Sequence, residues 1–445
     1  MSWTARRKGE ETGVCGVSGV THYRPARVCS TAAAPTFEAA MFDPISPRNH
    51  CQSALPSSGA PARRSITRAT LALLTAFCSA TAIAQVTVSP SGTPGVSQSF
   101  QVPPGRGGFS PTVGLTYSAG GLNGAEGAGW GLMGLSAVTR CAATRATDGS
   151  TGTVLFDVSD KLCLDGQRLI QTDESGNASA ASNAVGIAVS TQTNDAQGLA
   201  SGSYREFRTE ADTYVRVRAY GYADGANAAS GPAWFRVWTK DNHIVDYGAA
   251  SSADTNTQAL VKPYGKAMGM VWAAARMSDV FGNFIDYKYE QRDTVFGTVP
   301  SGCTPTACTG IGREWNVREI QYSANKIVFN YSDRAARSPE DRAEAWQNGS
   351  KNISVRRLDS VVTYVNSPNT SVLGPAASAV ASKAFKLTYD NGPVTGRSRL
   401  VSWQTCAGGA ASTRCLPATA LAYTSGSNDA FVSNTKFTAD PLASK

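Results

Sequence analysis

Residues 277–290 read MSDVFGNFIDYKYE, two short runs on either side of Asp279, Gly282 and Asn283. Ile285, Tyr287 and Tyr289 recur at period two, the spacing of a strand with one apolar face. Gly282 and Asn283 accept positive φ, so a tight turn between the runs forms at little cost. The stretch predicts a β-hairpin.

The same pattern repeats outward along the chain. Residues 234–240 run into Asp241 and Asn242 and return through His243 to Tyr247. Residues 317–322 and 327–331 flank Ser323, Ala324, Asn325 and Lys326, and residues 385–389 and 400–403 bracket Asp390, Asn391, Gly392 and Pro393. Val113, Leu115 and Tyr117 share one strand face, and Val215, Val217 and Ala219 lie opposite Tyr214, Arg216, Arg218 and Tyr220. The expected fold is all-β, with successive antiparallel hairpins forming a curved sheet. One short helix is expected, with Ser338 as N-cap, Pro339 at the first position and Asp341 completing an approximate capping box before Ala343 to Trp346, and with Gly349 ending it. Residues 172–203, 223–233 and 366–383 are small and polar and read as loops or insertions.

Composition supports this reading. The 445 residues include 43 glycines and only 17% charged residues, with 42% hydrophobic, enough for a buried core. Residues 1–84 carry nine Lys/Arg against four Asp/Glu, so five of the eight net positive charges lie there and the remainder carries only +3. A near-neutral body lacks the basic stripe that tracks phosphates, and no nucleic-acid partner is expected.

Arg63, Arg64 and Arg68 precede the apolar run ATLALLTAFCSATAIA, residues 69–84, which ends in small residues before Gln85. That is a signal peptide over residues 63–84 cleaved between Ala84 and Gln85, implying secretion and no spanning segment. Residues 1–62 read as an unstructured or mis-assigned leader. The all-β region is expected over residues 85–423, and residues 424–445 as a polar tail cut before a further domain.

Of ten cysteines, four precede the cleavage site; the other six suit an oxidising compartment. Their spacing suggests local disulfides, Cys303 with Cys308, Cys406 with Cys415, and Cys141 with Cys163. A zinc site is disfavoured, because no Cys-x-x-Cys occurs and His243 is the one histidine after the leader.

Gly129, Gly131 and Gly134 have dinucleotide-fingerprint spacing, but a glycine-rich loop precedes them and a strand-like LSAVTRC follows, so they read as a close-packed turn under Trp130. His243 sits beside a hairpin turn with no nucleophile motif nearby. Asp157, Asp160, Asp165, Glu206 and Glu210 could form a glycosidase pair only if the fold gathers them. The segment VPPGRGG, comprising Val102, Pro103, Pro104, Gly105, Arg106, Gly107 and Gly108, could cradle an anion through its N–H groups and Arg106. The alternative, that the prolines stop one strand and the glycines turn the chain into the next, is preferred. No enzyme activity, cofactor or metal is expected. Trp234, Trp238 and Tyr220, if exposed, would suit a rival role as a surface adhesin contacting glycans or proteins.

Taken together, residues 99–141 (SFQVPPGRGGFSPTVGLTYSAGGLNGAEGAGWGLMGLSAVTRC) resemble the opening of the SpvB family of virulence-plasmid B proteins, insecticidal toxin complex B components and RHS/YD-repeat proteins. VPPGRGG, the strand from Ser110 to Tyr117, and the motif containing Gly129, Trp130 and Gly131 carry the resemblance. LCLDGQRLI, GPAWFRVWTKDN, SDVFGNFIDYKY and YDNGPVTGRSRLVS extend it. The resemblance implies a non-enzymatic part of a hollow shell of strands around a toxic polypeptide, partnered by the rest of a toxin-complex chain or a companion subunit. Neither YD repeats nor the Glu-x-Glu signature of the family's ADP-ribosyltransferases occurs here, so toxic activity is not carried over.

Overall fold

The computed structural model describes residues 85–88, 92, 94–172, 204–250, 257–295, 311–334, 341–347 and 350–423. The proposed signal peptide including Ala84, the Cys303 and Cys308 pair, and the tail from residue 424 lie outside them. Gln85 opens the first strand.

The chain starts with β1 (Gln85–Val88), β2 (Pro94–Ser99), β3 (Gly114–Ser118), the two-residue strands β4 (Asn123–Gly124) and β5 (Gly127–Ala128), and β6 (Trp130–Met133). β1, β2, β3 and β6 form an antiparallel sheet, and β4 pairs with β5. There follow β7 (Ala137–Cys141), the one-turn helix α1 (Arg145–Asp148), β8 (Lys161–Leu164), β9 (Gln167–Thr172), β10 (Tyr204–Thr209), β11 (Arg216–Tyr220), β12 (Trp234–Trp238), β13 (Ile244–Gly248), β14 (Leu260–Val261) and β15 (Val271–Ser278).

Neighbours pair antiparallel from β7 through β13, and β15 then closes the ring. Its second half pairs with β13, from Ser278↔Ile244 to Ala274↔Tyr247, and its first half with β7, from Ala273↔Ala137 to Val271↔Thr139. The product is a closed eight-stranded barrel. Hairpin periodicity predicts the strands but not this closure, which depends on pairing between segments more than a hundred residues apart.

From β15 the sheet continues through β16 (Phe284–Val295), β17 (Ile311–Tyr322) and β18 (Asn325–Asp333). After the hairpin of β19 (Ala343–Gln347) and β20 (Ser350–Ser354) it resumes as β21 (Arg356–Val365), β22 (Val380–Asn391), β23 (Ser398–Ala407) and the short β24 (Thr419–Ala420).

The 277–290 hairpin is present. Asp279 accepts hydrogen bonds from the Phe281 and Asn283 amides at 2.9 and 2.8 Å, Gly282 takes φ +81°, and Ile285, Tyr287 and Tyr289 are buried on one face. The helix expected near Ala343 is absent: Ala343 to Gln347 are β19, paired from Ala343↔Ser354 to Gln347↔Ser350. Asn348 and Gly349, the strongest two-residue hairpin signal, stand between the partners and outweigh the Ser-Pro start signal. The short helix falls instead at Arg145–Asp148, ended by Gly149 in the left-handed region.

Of the three expected insertions, residues 173–203 lie outside the described residues; the other two are structural, and Val380 to Lys383 of the third already belong to β22. In the 223–233 loop, Arg140 donates to the Ala229 carbonyl and Trp272 to the Pro232 carbonyl. Gly231, Gly248 and Gly269 crowd the Trp272 indole so closely that an added Cβ would lie 2.9, 2.6 and 2.5 Å from it. The 366–379 segment straps the sheet: Lys326 donates to the Gly374 carbonyl at 2.9 Å, and Gly374 N–H to buried Glu319 at 2.6 Å.

The alternation in β11 predicts one apolar and one polar face. Val217 and Ala219 do enter the apolar core, but Arg218 and Tyr220 on the other face are also buried. That face carries a charged row instead of a solvated surface: Glu206, Arg218, Arg236, Asp246, Arg276 and Asp286 stand in register across β10 to β16. Opposite charges face each other at every step of the row except Arg218 beside Arg236, and each of those two arginines has its carboxylate on the other side, Glu206 and Asp246.

Candidate functional site

The family motifs gather at two places, the VPPGRGG loop and the turn around Glu126 and Trp130. The first begins as β2 ends. Pro103 and Pro104 have no N–H to offer a ladder, and their carbonyls accept from the Tyr322 hydroxyl at 2.7 Å and the Asn325 side chain at 3.1 Å. The Gly105 amide donates to Ser110 Oγ at 2.7 Å and the Arg106 amide to Ser323 Oγ at 3.0 Å. Residues Arg106–Gly108 make one 3₁₀ turn, in which the Gly108 amide donates to the Gly105 carbonyl. The N–H groups of Gly105, Arg106 and Gly108 are therefore committed internally, which removes the cradle needed for an anion. An added Cβ on Gly105 would lie 1.9 Å from the Phe109 carbonyl oxygen. The motif locks the chain onto the β17–β18 turn.

Beside it lies an open cavity of about 1160 Å³, lined by Arg106, Phe109, Asp241, His243, Asp279 and Tyr287 among others. Phe109 packs on the His243 ring at 5.2 Å between centroids, and among the described residues no hydroxyl or thiol is bonded to that ring. Asp279 is taken up by its own turn, with Asn283 Nδ2 at 2.7 Å. Burial raises the Tyr287 hydroxyl to about 12.

The carboxylates considered for a glycosidase pair are used structurally. Asp160 holds Arg140 at 2.6 Å and accepts the Leu155 and Phe156 amides, both at 2.7 Å. Asp165 accepts from Ser136 Oγ and the Ala137 amide, Asp157 from Ser159, and Glu210 from Thr147. Glu206 pairs with Arg208 and Arg218, both at 2.9 Å. No group of three or more His, Cys, Asp or Glu with metal-ligand proximity occurs among the described residues. No helix there is long and apolar enough to cross a membrane.

Tyr220, Trp234 and Trp238 do not make an exposed platform. Tyr220 is buried and stacks on Trp234 at 4.2 Å, and Arg216 covers Trp238 at 4.0 Å. Disulfides join Cys141 to Cys163 and Cys406 to Cys415.

The second place is a junction. Gly129 has φ +79°, and an added Cβ would lie 2.6 Å from the Tyr117 ring. This presents buried Trp130 to Trp403, with centroids 5.8 Å apart, and its indole N–H donates to the Tyr423 hydroxyl at 2.9 Å. Gly131 follows in β6, opposite Thr116. Next to it, Arg334, almost wholly buried, donates to the carbonyls of Arg356 (2.9 Å), Asp341 (3.0 Å) and Gly124. Asp341 also accepts the Ser398 amide and hydroxyl, both at 2.5 Å, and Asn123 at 3.2 Å. Sequence reasoning missed Glu126, Arg334 and Ser398, and gave Asp341 to a helix cap where the structure sets it on Ser398 and Arg334. Glu126 alone left a trace, as the single charge in the run GLNGAEGAGWG.

A family model described as Salmonella virulence plasmid 65kDa B protein, SpvB, matches residues 88–308. Among solved structures, the crystal structure of TcdB2-TccC3 is similar over 76% of this chain and 17% of its own, with TM-score 0.54 and 16% identity. The Photorhabdus luminescens Tc holotoxin pore is similar over 72% of this chain and 15% of its own, with TM-score 0.51 and 16% identity. The N-terminal domain of effector protein SpvB from Salmonella typhimurium strain LT2 aligns with 69% of this chain and 98% of its own at TM-score 0.48 and 17% identity. No curated protein matches the sequence. This chain spans about a sixth of the length of the first two, and the likeness shows a shared fold. The chain therefore carries a region, residues 88–308, that matches the SpvB model, within a fold shared with the toxin-complex structures.

Proposed function

We propose that the chain is a non-enzymatic structural module of a secreted RHS-type toxin or toxin-complex protein, contributing to the shell that encapsulates or delivers a toxic polypeptide. The observation that carries this reading is the use made of the SpvB motifs. VPPGRGG and the Gly129, Trp130, Gly131 turn are consumed in joining sheet to sheet, and the carboxylates considered for catalysis are engaged in ion pairs and turns. A wall element needs a closed hydrogen-bonded sheet, and the barrel with its continuation provides one. Structures sharing the fold include TcdB2-TccC3 and a Tc holotoxin pore, which supports a partner within such a complex. Export through the signal peptide at residues 63–84 belongs to the same proposal.

The test is purification from the native host through a tag placed in this region, followed by intact mass and electron microscopy. Recovery inside a much larger particle with an enclosed polypeptide supports the reading. A free monomer of the processed chain that binds a cell-surface ligand would overturn it.

A further inference from the structure

We infer that the turn carrying Glu126 is a proton-operated latch: protonated Glu126 lets the β4–β5 turn seat on the long sheet, and its ionisation loosens that seat. The latch is independent of the toxin reading and would operate in any assembly containing this fold.

The geometry comes first. The β4–β5 turn lies on the sheet through the Leu358 amide, which donates to the Ala125 carbonyl at 2.8 Å, and through Arg334 on the Gly124 carbonyl. Asn123 reaches Asp341, and Gly127 sits so close that an added Cβ would lie 2.9 Å from the Ser398 carbonyl. Glu126, between these contacts, is 6% exposed. Its own backbone N–H donates to the carboxylate, and among the described residues no other donor does.

Most of the groups facing it are bonded elsewhere. Arg334 supplies a positive field, but four hydrogen bonds tie its guanidinium to the carbonyls of Arg356, Asp341 and Gly124 and to the Asp341 carboxylate. The Tyr331 hydroxyl of β18 donates to the Val317 carbonyl at 2.9 Å, and the Tyr389 hydroxyl of β22 to the Leu358 carbonyl at 2.7 Å. From β21, Arg356 lies over the Tyr331 ring and is paired with Glu314, while Arg357 lies over the Tyr389 ring and is paired with Asp359. An ionised Glu126 thus finds charge nearby but, among the described residues, accepts a hydrogen bond only from its own amide. Burial dominates and pushes its carboxyl up to about 7, against the lowering by its own amide and Arg334. To be solvated, the anion admits water or pulls on Arg334, whose bonds to Gly124 and Asp341 seat the turn.

The sign follows from proton binding. Between about pH 4.5 and 7 the seated state keeps a proton that the solvent-exposed open state has lost. Seating is therefore strongest below that window, weakens as pH rises through it and levels off above. The opening equilibrium grows by up to about tenfold per pH unit, of order 100-fold across the window.

Hydrogen exchange on the full chain at pH 5, 6, 7 and 8, corrected for intrinsic rates, tests this in wild type and Glu126→Gln. Expected is a fall of order 100-fold in protection for peptides containing residues 122–130 and Leu358 in wild type, with no comparable fall in the β16–β17 pair. Glu126→Gln should keep high protection at every pH. A flat wild-type profile, or an unchanged slope in Glu126→Gln, overturns the latch. If the variant does not fold, the wild-type profile decides alone.

Discussion

Arg236 and Asp246 face each other across the β12–β13 hairpin, Nε to Oδ1 at 2.7 Å and Nη2 to Oδ2 at 2.9 Å, with both side chains buried. The next hairpin repeats the arrangement ten residues apart in the chain, Arg276 to Asp286 at 2.6 and 2.8 Å. Bidentate pairs fix strand register, because a one-residue slip would send each partner to the opposite face. Asp246→Ala leaves a buried guanidinium without its counter-charge and should cost about 3–5 kcal/mol. The apolar double variant Arg236→Met with Asp246→Leu should regain most of that loss in a urea titration, and equal losses in both would refute the pairing argument.

The VPPGRGG glycines are not equivalent. Gly105→Ala drives a methyl into the Phe109 carbonyl and should cost about 3 kcal/mol. Gly107 has φ +62° but open space around it, so Gly107→Ala carries only the left-handed penalty of about 1 kcal/mol. Thermal melts of the two variants should rank in that order, and equal effects would mean that the close approach does not constrain the loop.

Cys141–Cys163 closes 22 residues and Cys406–Cys415 closes nine. Loop-closure entropy assigns about 3 kcal/mol to the first and somewhat less to the second. Denaturant titrations of Cys141→Ser with Cys163→Ser and of Cys406→Ser with Cys415→Ser should show that order. A negligible loss in the first pair would indicate that the β7–β8 pairing already restrains the unfolded chain.

Asp341 gives the junction a second titration of opposite sign to Glu126. Burial pushes its carboxyl up, but the Ser398 hydroxyl and amide, with Arg334, outweigh it and hold it below the usual carboxylate range. A depressed group stabilises above the unfolded value of 3.8 and loses that contribution as pH falls through the folded value. Acid unfolding below about pH 4 should therefore be shallower in Asp341→Asn, which starts from lower stability at pH 7. An identical acid slope in both proteins would show that Asp341 takes no part.

Local chemistry wrote much of the fold plainly. Period-two runs around Asp279 and Gly282, around Asp241 and Asn242, and around Gly392 mark hairpins because strand pleat and turn φ depend on nearest neighbours alone. The same locality explains the error at Ala343, where Ser338 and Pro339 favour a helix start but Asn348 and Gly349 serve a hairpin whose stability comes from its partner strand.

The sequence by itself determined the strands, the turns and the motifs of the SpvB-type region. Only the tertiary structure decided that β15 closes a barrel between β7 and β13, that Arg218 and Arg236 are buried, and that VPPGRGG spends its amides on Ser110 and Ser323. It alone brought Glu126 beneath Arg334, 208 positions later in the chain. The physical reason is that burial and charge pairing depend on which distant surfaces meet. A lone glutamate among glycines reads as solvated until a sheet closes over it and takes its water away.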